Sequence, residues 1–278
     1  MKWNIVTDSS CDLIPVGNQN DKVQISNVPF IISIGNKEFV DNETANIDVM
    51  LDEMERCKEA SHTSCPSPQS WVEQFEKAEQ CIAITISSKL SGSMNSAMIA
   101  KEIVLEQYPD KQIAVLDSRS TGPELVLCVE EILCQIEEGK NFESIVSHAN
   151  EFLQRTKVMF ALSSFDNLVK NGRMNKVAGF IAKKLGMWGI GIGSEEGAIV
   201  VKGKARGAIK ALSMLLENMK ENGFCGGRVV ISHCQNPALA EKLQNKIQEI
   251  WADSNVSILS TRGLCSYYTE RGGLIISY

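Results

Sequence analysis

The sequence predicts a mixed α/β protein made of two domains. In the first half of the chain, four apolar stretches of strand length are each followed by a polar turn and a helical pattern. That repeated order is typical of a doubly wound parallel sheet with helices on both faces. The second half has a hairpin pattern and more scattered strands, which is typical of an α+β domain. We therefore expect a Rossmann-like α/β domain at residues 1–156 and an α+β domain at residues 157–278.

The composition suits a packed globular protein. The chain has 278 residues, enough for two ordinary domains, and 44% of them are hydrophobic. A net charge of −6 argues against nucleic acid as a partner and against adhesion to an anionic membrane. No apolar run approaches the ~18 residues that a membrane-spanning helix needs. The nine cysteines form no CxxC pair, and the N-terminus has no signal-like segment, so we expect a reduced, cytoplasmic protein.

Short local signals define the elements of the first half. Trp3–Thr7 has the apolar pattern of a buried strand, and Gly35-Asn36 is a hairpin signal. Capping residues followed by amphipathic stretches indicate the helix starts. The expected strands are Trp3–Thr7, Val23–Ile34, Lys37–Val40, Ile82–Ile86 and Gln112–Leu116, and the expected helices run from Asn46 or Asp48 to about Cys57, from Ser67-Pro68 through Glu79, and over Met94–Gln107, Pro123–Glu138 and Phe142–Thr156.

Similar signals define the second half. The glycine-bounded turn Gly193–Gly197 joins two strand-like stretches and predicts an antiparallel hairpin. A basic cluster that ends at Arg206 leads into a long helix. The expected strands are Val158–Leu162, Gly189–Ile192, Ala198–Lys202, Val229–Ser232, Val256–Leu259 and Leu274–Ser277, and the expected helices are Val177–Leu185, one ending near Asn222, and Pro237–Trp251.

Three hydroxyl-rich turns follow strands of the expected parallel sheet. They are Asp8–Ser10, Ser87–Ser93 and Asp117–Ser120. Because the carboxyl ends of parallel strands meet at one edge of a sheet, we expect these turns to converge there. The second turn also precedes a helix, so its hydroxyls and free backbone N–H groups suit an anion. Alternatively, Ser91 or Ser93 simply caps that helix.

Other kinds of site have weaker support in the sequence. The Gly186–Gly193 stretch contains GIGIG but lacks the GxGxxG spacing of a dinucleotide site. The three histidines are far apart in the sequence, so a metal site is not expected. One enzyme class stays open, a serine-dependent acyl hydrolase or another small-anion enzyme, with Ser91 or Ser93 as nucleophile and His233 as base. The GxSxG motif that often carries such a nucleophile is missing.

Seven motifs resemble those of the DegV family, in that family's order and over nearly the whole chain. They are TDSSCDL at Thr7–Leu13, TSCPSPQSW at Thr63–Trp71, ISSKLSGSMNSA at Ile86–Ala97, VLDSRS at Val115–Ser120, NGRMNKV at Asn171–Val177, KARGAIKAL at Lys204–Leu212 and ISH at Ile231–His233.

The resemblance implies a fold and a function. The fold is a two-domain α/β protein that holds one long-chain fatty acid in a tunnel between its domains. The function is that of the fatty-acid-binding subunit of a bacterial fatty acid kinase, which presents the carboxylate to a separate ATP-dependent kinase subunit for acyl-phosphate formation. The resemblance therefore implies a chain that is not itself an enzyme and that needs no cofactor or metal, because the ATP chemistry belongs to the partner.

The resemblance also assigns roles to residues. One group would hold the carboxylate of the fatty acid, one cation would lie beside it, and another cation would face the kinase subunit. The residues that would hold the carboxylate are Thr63, Ser64, Ser91, Gly92 and Ser93. The cation beside it would be Arg173, and the cation that faces the kinase subunit would be Arg206. Two stretches, Val177–Leu185 and Met94–Ile103, would help to line the cavity for the acyl chain.

Two segments depart from the family's pattern. Near the C-terminus the family usually has G-x-H-x-G-P-G, whose histidine approaches the head group, whereas this chain has Ser266–Gly273. We expect Tyr268 to replace that histidine, and we expect Glu270 to bring a negative charge close to the carboxylate. The family's Lys-Pro-Ile-Leu-like strand is replaced by Met187–Ile190, in which Trp188 would narrow or plug the tunnel.

Overall fold

Three sheets organise the described part of the chain, which in this computed structural model comprises residues 2–14, 22–174 and 186–278. The mixed α/β architecture is the predicted fold class. Its strands are β1 (Trp3–Asp8), β2 (Val23–Val28), β3 (Ile31–Ile34), β4 (Lys37–Val40), β5 (Ser61–Ser64), β6 (Gln80–Thr85), β7 (Gln112–Asp117), β8 (Val158–Leu162), β9 (Met187–Gly193), β10 (Ile199–Arg206), β11 (Arg228–His233), β12 (Asn255–Ser260) and β13 (Leu274–Ser277). Its helices are α1 (Ile47–Arg56), α2 (Pro68–Phe75), α3 (Ser93–Gln107), α4 (Pro123–Glu137), α5 (Phe142–Arg155), α6 (Asp166–Lys170), α7 (Ala208–Glu221), α8 (Pro237–Ile250) and α9 (Gly263–Thr269).

The first sheet is parallel, with the strand order β2-β1-β6-β7. Its strands are buried at most positions, polar ones included, because helices cover both faces of the sheet. Along β6, Ile82 and Ile84 face the core that contains α4 and α5, whereas Cys81 and Ala83 face the core that contains α2 and α3. The predicted doubly wound parallel sheet is therefore confirmed.

The largest sheet has the order β10-β9-β8-β13-β11-β12 and is antiparallel except for the β11–β12 pair. Helices α7 and α8 cover one face, where Leu212, Leu215 and Leu243 are fully buried. On the other face, side chains of β8 and β13 form a separate apolar cluster with residues of α6 and α9. This second face borders the candidate site described below.

A small antiparallel sheet, β4-β3-β5, carries one part of that site. The predicted hairpin at Gly35-Asn36 joins β3 and β4, and the φ of 58° at Gly35 is one that glycine adopts without strain. Thr63 of β5 lies opposite Ile32 of β3. Nothing in the sequence predicts β5, because SHTS contains no apolar residue and shows no strand periodicity.

Several element boundaries differ from those predicted. The side chains of Asn46 and Ser67 cap α1 and α2 as expected, although α2 ends at Phe75 and not at Glu79. The N-cap of α3 is Gly92, so the predicted capping by Ser91 or Ser93 is wrong. The sequence does not predict helix α9 in the C-terminal segment. The predicted strand Val23–Ile34 is two strands, β2 and β3, and the predicted helix Val177–Leu185 lies outside the described residues.

Candidate functional site

Two of the predicted turns meet at the carboxylate of Asp8, at the end of β1. Its Oδ1 accepts the N–H and the hydroxyl of Ser10, at 3.2 and 2.6 Å. Its Oδ2 accepts the N–H of Ile86 at 2.9 Å and the hydroxyl of Ser93 at 2.6 Å. Burial raises the pKa of Asp8, and these four hydrogen bonds oppose that rise. The carboxyl group thus ties the turn after β1 to the turn after β6.

The turn after β7 joins the same edge of the sheet. The Asp117 carboxylate accepts the N–H of Ser88 at 3.1 Å and the N–H of Arg119 at 2.9 Å. The N–H of Ser87 donates to the carbonyl of Ser120 at 2.8 Å. The predicted convergence of the three hydroxyl-rich turns is confirmed.

The turn that starts α3 lies against the end of β5. A Cβ atom at Gly92 would be 3.5 Å from Sγ of Cys65, so the two segments are in contact. The half-buried Ser91 accepts the N–H of Ser93 on its Oγ at 3.2 Å. Ser93 is fully buried, and its hydroxyl proton is already donated to Asp8. Of the three residues in this turn, Ser91 and Gly92 are therefore the ones that face outward.

Thr63 and Tyr268 form a hydrogen-bonded pair beside this turn. Oγ1 of Thr63 lies 2.8 Å from the phenol oxygen of Tyr268. Burial raises the pKa of Tyr268, while the bond to Thr63 and the charge of Arg173 act in the opposite direction. The guanidinium of Arg173 donates to the carbonyl of Leu90 at 3.1 Å and to that of Asn171 at 2.7 Å. Two hydroxyl groups and one cation thus lie close to the start of α3, where they can receive an anion.

An apolar cavity with a free volume of about 60 Å³ adjoins this polar group. Leu90 and Tyr268 belong to its wall, so Arg173 and Thr63, which are bonded to them, lie beside it. Both halves of the sequence supply the rest of the wall, including Thr121, Phe160, Ile199 and Ile275.

Strand β8 contributes wall residues that none of the seven motifs contains. Val158, Phe160 and Leu162 alternate along the strand, and all three line the cavity. The sequence does predict this strand, but its period of two gives no indication of which face borders a cavity. The tertiary packing identifies the face, because Met159 and Ala161 join the core with α7 and α8 while the other three side chains belong to the cluster on the opposite side.

Helix α3 does not line the cavity as expected. None of its residues belongs to the wall, and Met98, Ile99 and Ile103 are exposed on its surface. The expected contribution of Met94–Ile103 is therefore wrong, because the helix packs on the far face of the parallel sheet. The other expected contributor, Val177–Leu185, lies outside the described residues.

Two further residues lie elsewhere than expected. Trp188 packs against the core formed with α7 and α8, because side chains alternate along β9 and this one points away from the cavity. It does not plug the cavity. Glu270 accepts the hydroxyl of Ser164 at 2.8 Å and is absent from the cavity wall, so its charge is not directed at the polar group.

Two other residues to which the sequence assigns roles are exposed. Arg206 lies on β10 and Ser64 lies on β5.

The described residues do not assemble a serine hydrolase triad. The hydroxyl of Ser93 is bonded to a carboxylate, Asp8, and not to an imidazole. Nδ1 of His233 accepts the N–H of Asn236, and Nε2 of His148 is 2.7 Å from Glu131. No histidine of the described ranges is hydrogen-bonded to Ser91 or Ser93.

Neither a metal site nor a membrane-spanning helix is present in the described ranges. Among those residues, no group of three or more His, Cys, Asp or Glu side chains could hold a metal ion. The helices present there include none with the length and apolarity to cross a membrane. All nine cysteines are free thiols.

The fold places the chain in the mixed α/β class. Its candidate site is an apolar cavity with polar groups beside it, at the edge of the parallel sheet. The chain belongs to the DegV family. The family model described as "Uncharacterised protein, DegV family" matches residues 2–278. A DegV domain-containing protein of Streptococcus pyogenes serotype M1 is 39% identical over 278 residues, covering 100% of this chain and 99% of that protein.

Two solved structures similar to this chain contain fatty acids. One is the fatty acid kinase (Fak) B3 protein of Streptococcus pneumoniae loaded with linoleic acid, with 37% identity, a TM-score of 0.96 and coverage of 100% of this chain and 99% of that one. The other is a DegV family protein from Eubacterium eligens loaded with heptadecanoic acid, with 37% identity, a TM-score of 0.94 and coverage of 99% and 98%. The fold and the family resemblance predicted from the sequence are thereby confirmed.

Proposed function

We propose that this chain binds one long-chain fatty acid, with the acyl chain in the apolar cavity and the carboxylate at the polar group beside it. The observation that carries the proposal is the apolar cavity whose wall residue Tyr268 is hydrogen-bonded to Thr63. An alkyl chain requires apolar walls and a carboxylate requires donors, and here both are adjacent. The two fatty-acid-loaded proteins, each 37% identical to this chain, support the same ligand class.

The carboxylate contacts fall to the residues that lie around the start of α3. Hydroxyl or backbone donors would come from Thr63, Ser64, Ser91, Gly92 and Tyr268. Arg173 would supply the neighbouring positive charge. Ser93 would hold the turn in place through Asp8 and would not donate to the carboxylate, since its proton is already used.

The acyl chain would supply most of the affinity. Burying ~15 methylene groups at ~0.8 kcal/mol each yields roughly 12 kcal/mol. The loss of rigid-body freedom on binding opposes this gain by ~4–15 kcal/mol. Hydrogen bonds to the head group mainly offset the several-kcal/mol cost of removing a carboxylate from water, and they fix its position.

The bound acid would serve as the substrate of a separate ATP-dependent kinase subunit. In that reaction the carboxylate of the ligand is itself the nucleophile, so this chain needs no catalytic residue of its own. Arg206 is exposed on β10 and is the residue we assign to the contact with that subunit. We place the protein in the cytoplasm, where its nine thiols would stay reduced.

Native mass spectrometry of protein purified from bacteria without added lipid tests the proposal. We expect a 1:1 complex that releases one long-chain acid on mild organic extraction. A protein that carries no such acid, and that also fails to take up added palmitic acid, would contradict it.

The kinase assignment has a separate test. Loaded protein is mixed with ATP and a purified fatty acid kinase catalytic subunit, and acyl phosphate is measured. Arg206→Ala should lower the rate without changing the fatty acid content, whereas Lys202→Ala, another exposed cation of β10, should leave both unchanged. Equal rates for all three proteins would remove Arg206 from the contact.

A further inference from the structure

Two buried carboxylates cap helix α9, which contributes to the cavity wall. Oδ1 of Asp41 accepts the N–H of Gly263 at 2.8 Å, and Oδ2 accepts the N–H of Leu264 at 2.8 Å. The N–H of Arg262, the N-cap residue, donates to Oδ1 of Asp12 at 2.9 Å. A helix start leaves its first N–H groups without partners inside the helix. The two carboxylates supply those partners for the start of α9.

The Asp41 cap comes from a distant part of the chain. The side chain of the N-cap residue usually accepts these N–H groups, but the guanidinium of Arg262 can only donate. Asp41 directly follows β4, and its own N–H donates to the carbonyl of Phe30 at 2.9 Å. Its carbonyl in turn accepts the Arg262 guanidinium at 2.9 Å. Asp41 thus joins the small sheet to the start of α9 through both its backbone and its side chain.

The same small sheet also holds the other end of α9. On β5, Thr63 is hydrogen-bonded to the phenol of Tyr268 at 2.8 Å, and Ser61 to that of Tyr267 at 2.7 Å. Helix α9 has only seven residues, too few to be stable without tertiary contacts. The packing of its buried side chains and the hydrogen bonds at its two ends therefore fix its orientation. Asp41 supplies two of the bonds at its start.

The contact between Asp41 and the helix start leaves no free space. Asp41 is 1% exposed, and a Cβ atom at Gly263 would lie 2.6 Å from its Oδ1 and 2.8 Å from its Cγ. A glycine at the first helical position is what lets the carboxylate approach both N–H groups. A side chain there would push the carboxylate and the helix start apart.

We propose that Asp41 is a positioning residue for the fatty acid carboxylate, because it holds α9 where the hydroxyl of Tyr268 stays beside Thr63. This inference rests on the proposed function. Asp41 is absent from the cavity wall, so its effect on the ligand passes through α9. Without the cap, the helix start loosens and the Tyr268 hydroxyl is no longer held within reach of the carboxylate.

A double-mutant cycle between Asp41 and Tyr268 tests this role. The affinity of delipidated protein for palmitic acid is measured by calorimetric titration for the wild type, Asp41→Asn, Tyr268→Phe and the double variant. Asp41→Asn replaces one acceptor oxygen by an amide group that cannot accept an N–H. We expect affinity to fall about tenfold when Tyr268 is present, since a hydrogen bond to a charged group contributes about that much. When Tyr268 is already phenylalanine, the same change should lower affinity by less than about twofold.

A second variant disturbs the cap without changing any charge. The methyl group of Gly263→Ala displaces the Asp41 carboxylate, so affinity should again fall about tenfold with Tyr268 present and less than about twofold without its hydroxyl. Asn141→Ala is the matched control for loss of a helix cap. Asn141 caps α5 by accepting the N–H of Ser144 at 2.9 Å, and it is absent from the cavity wall. Its affinity should equal that of the wild type.

The outcomes separate the inference from the function on which it rests. Wild-type protein that does not bind palmitic acid contradicts the proposed function. If the wild type binds, cap variants whose affinity changes agree within about twofold with and without the Tyr268 hydroxyl overturn the role of Asp41 alone. A loss in Asn141→Ala as large as theirs also overturns it. Where the two cap variants differ, or where Asp41→Asn does not fold, Gly263→Ala decides because it retains every charge.

Discussion

Adjacent tyrosines on α9 differ in what their hydroxyl groups contact. Tyr267 is fully buried, and its hydroxyl is 2.7 Å from Oγ of Ser61 and accepts Nδ2 of Asn171 at 3.0 Å. Tyr268 belongs to the cavity wall, and its hydroxyl is 2.8 Å from Oγ1 of Thr63. The first tyrosine holds β5 and α6 together, whereas the second is available to a ligand.

Replacing each tyrosine by phenylalanine should therefore have a different effect. Tyr268→Phe removes a donor from the head group, and a hydrogen bond to a charged group contributes about 1.5–3 kcal/mol, so fatty acid affinity should fall at least tenfold. Tyr267→Phe should leave affinity unchanged and lower the free energy of unfolding by about 0.5–1.5 kcal/mol, because the partly buried Ser61 and Asn171 lose a hydrogen-bond partner. Titration of fluorescent fatty acid and urea unfolding measure the two effects. Equal losses of affinity in both variants would contradict these roles.

Some of these residues could be predicted from the sequence and others could not. The motifs shared with the family predict Thr63 and Arg173 as site residues. Tyr268 is predicted from the C-terminal segment, where this chain departs from the family's pattern. Their roles in carboxylate binding stay predictions. The bond between Ser93 and Asp8 could not be predicted, because it joins residues 85 positions apart through a fold that the local pattern does not describe.

At the scale of elements, the tip of the β9–β10 hairpin docks on the turn after β6. The hydroxyl of Ser87 donates to the carbonyl of Gly197 at 2.7 Å. Gly197 has a φ of 86°, and a Cβ there would lie 2.2 Å from Oγ of Ser87 and 2.8 Å from Cα of Arg119. The close approach explains why this hairpin ends in a glycine.

A side chain at Gly197 should weaken this docking. Gly197→Ala adds a clash with backbone to the cost of a positive φ, so we expect a loss of about 2–4 kcal/mol in the free energy of unfolding. Gly139→Ala is the matched control, because Gly139 has a φ of 73° and nothing within 4 Å of its Cβ position. It should cost only about 1 kcal/mol. Urea unfolding curves that give the same loss for both variants would show that the docking contact is unimportant.

Most elements follow from apolar periodicity, and the exceptions have a physical reason. β5 and α9 gain their structure from tertiary pairing, β5 with β3 and α9 with α1 and α6, and their sequences contain little periodic signal. The sequence shows the glycines of β9 but not the reason for them. At Gly191 that reason is the ring of Phe160 on the neighbouring strand, which occupies the space where a side chain would lie.

For the whole molecule, helix α4 connects the two large sheets. It packs with α5 on the parallel sheet, and the same core includes Val230 of β11. Glu124, in its first turn, is buried and accepts the hydroxyl of Thr156 at 2.8 Å. The predicted domain boundary between residues 156 and 157 falls just beyond this contact and stays a prediction.

The buried Glu124 should make stability depend on pH. Burial raises its pKa from 4.5 to about 7. Since the folded chain then holds the proton more tightly than the unfolded chain, its contribution is complete below about pH 4.5 and is lost as pH rises through 7. At about 1.4 kcal/mol per pKa unit, the loss is roughly 3 kcal/mol.

The neutral variant Glu124→Gln should remove this dependence while keeping an acceptor for Thr156. Between pH 6 and pH 8 the melting temperature of the wild type should fall further than that of the variant. The variant should be the more stable of the two at pH 8. Parallel melting curves for the two proteins across this range would show that Glu124 does not carry the effect.

We expect the cavity beside Tyr268 to hold the alkyl chain of one fatty acid. A crystal structure of protein purified from bacteria and crystallised without added lipid would show whether it does. The expected result is a continuous tube of electron density in the cavity that ends in a carboxylate within hydrogen-bond distance of Thr63 or Tyr268. A cavity filled only by water or by packed side chains, in crystals of protein soaked with palmitic acid as well, would contradict it.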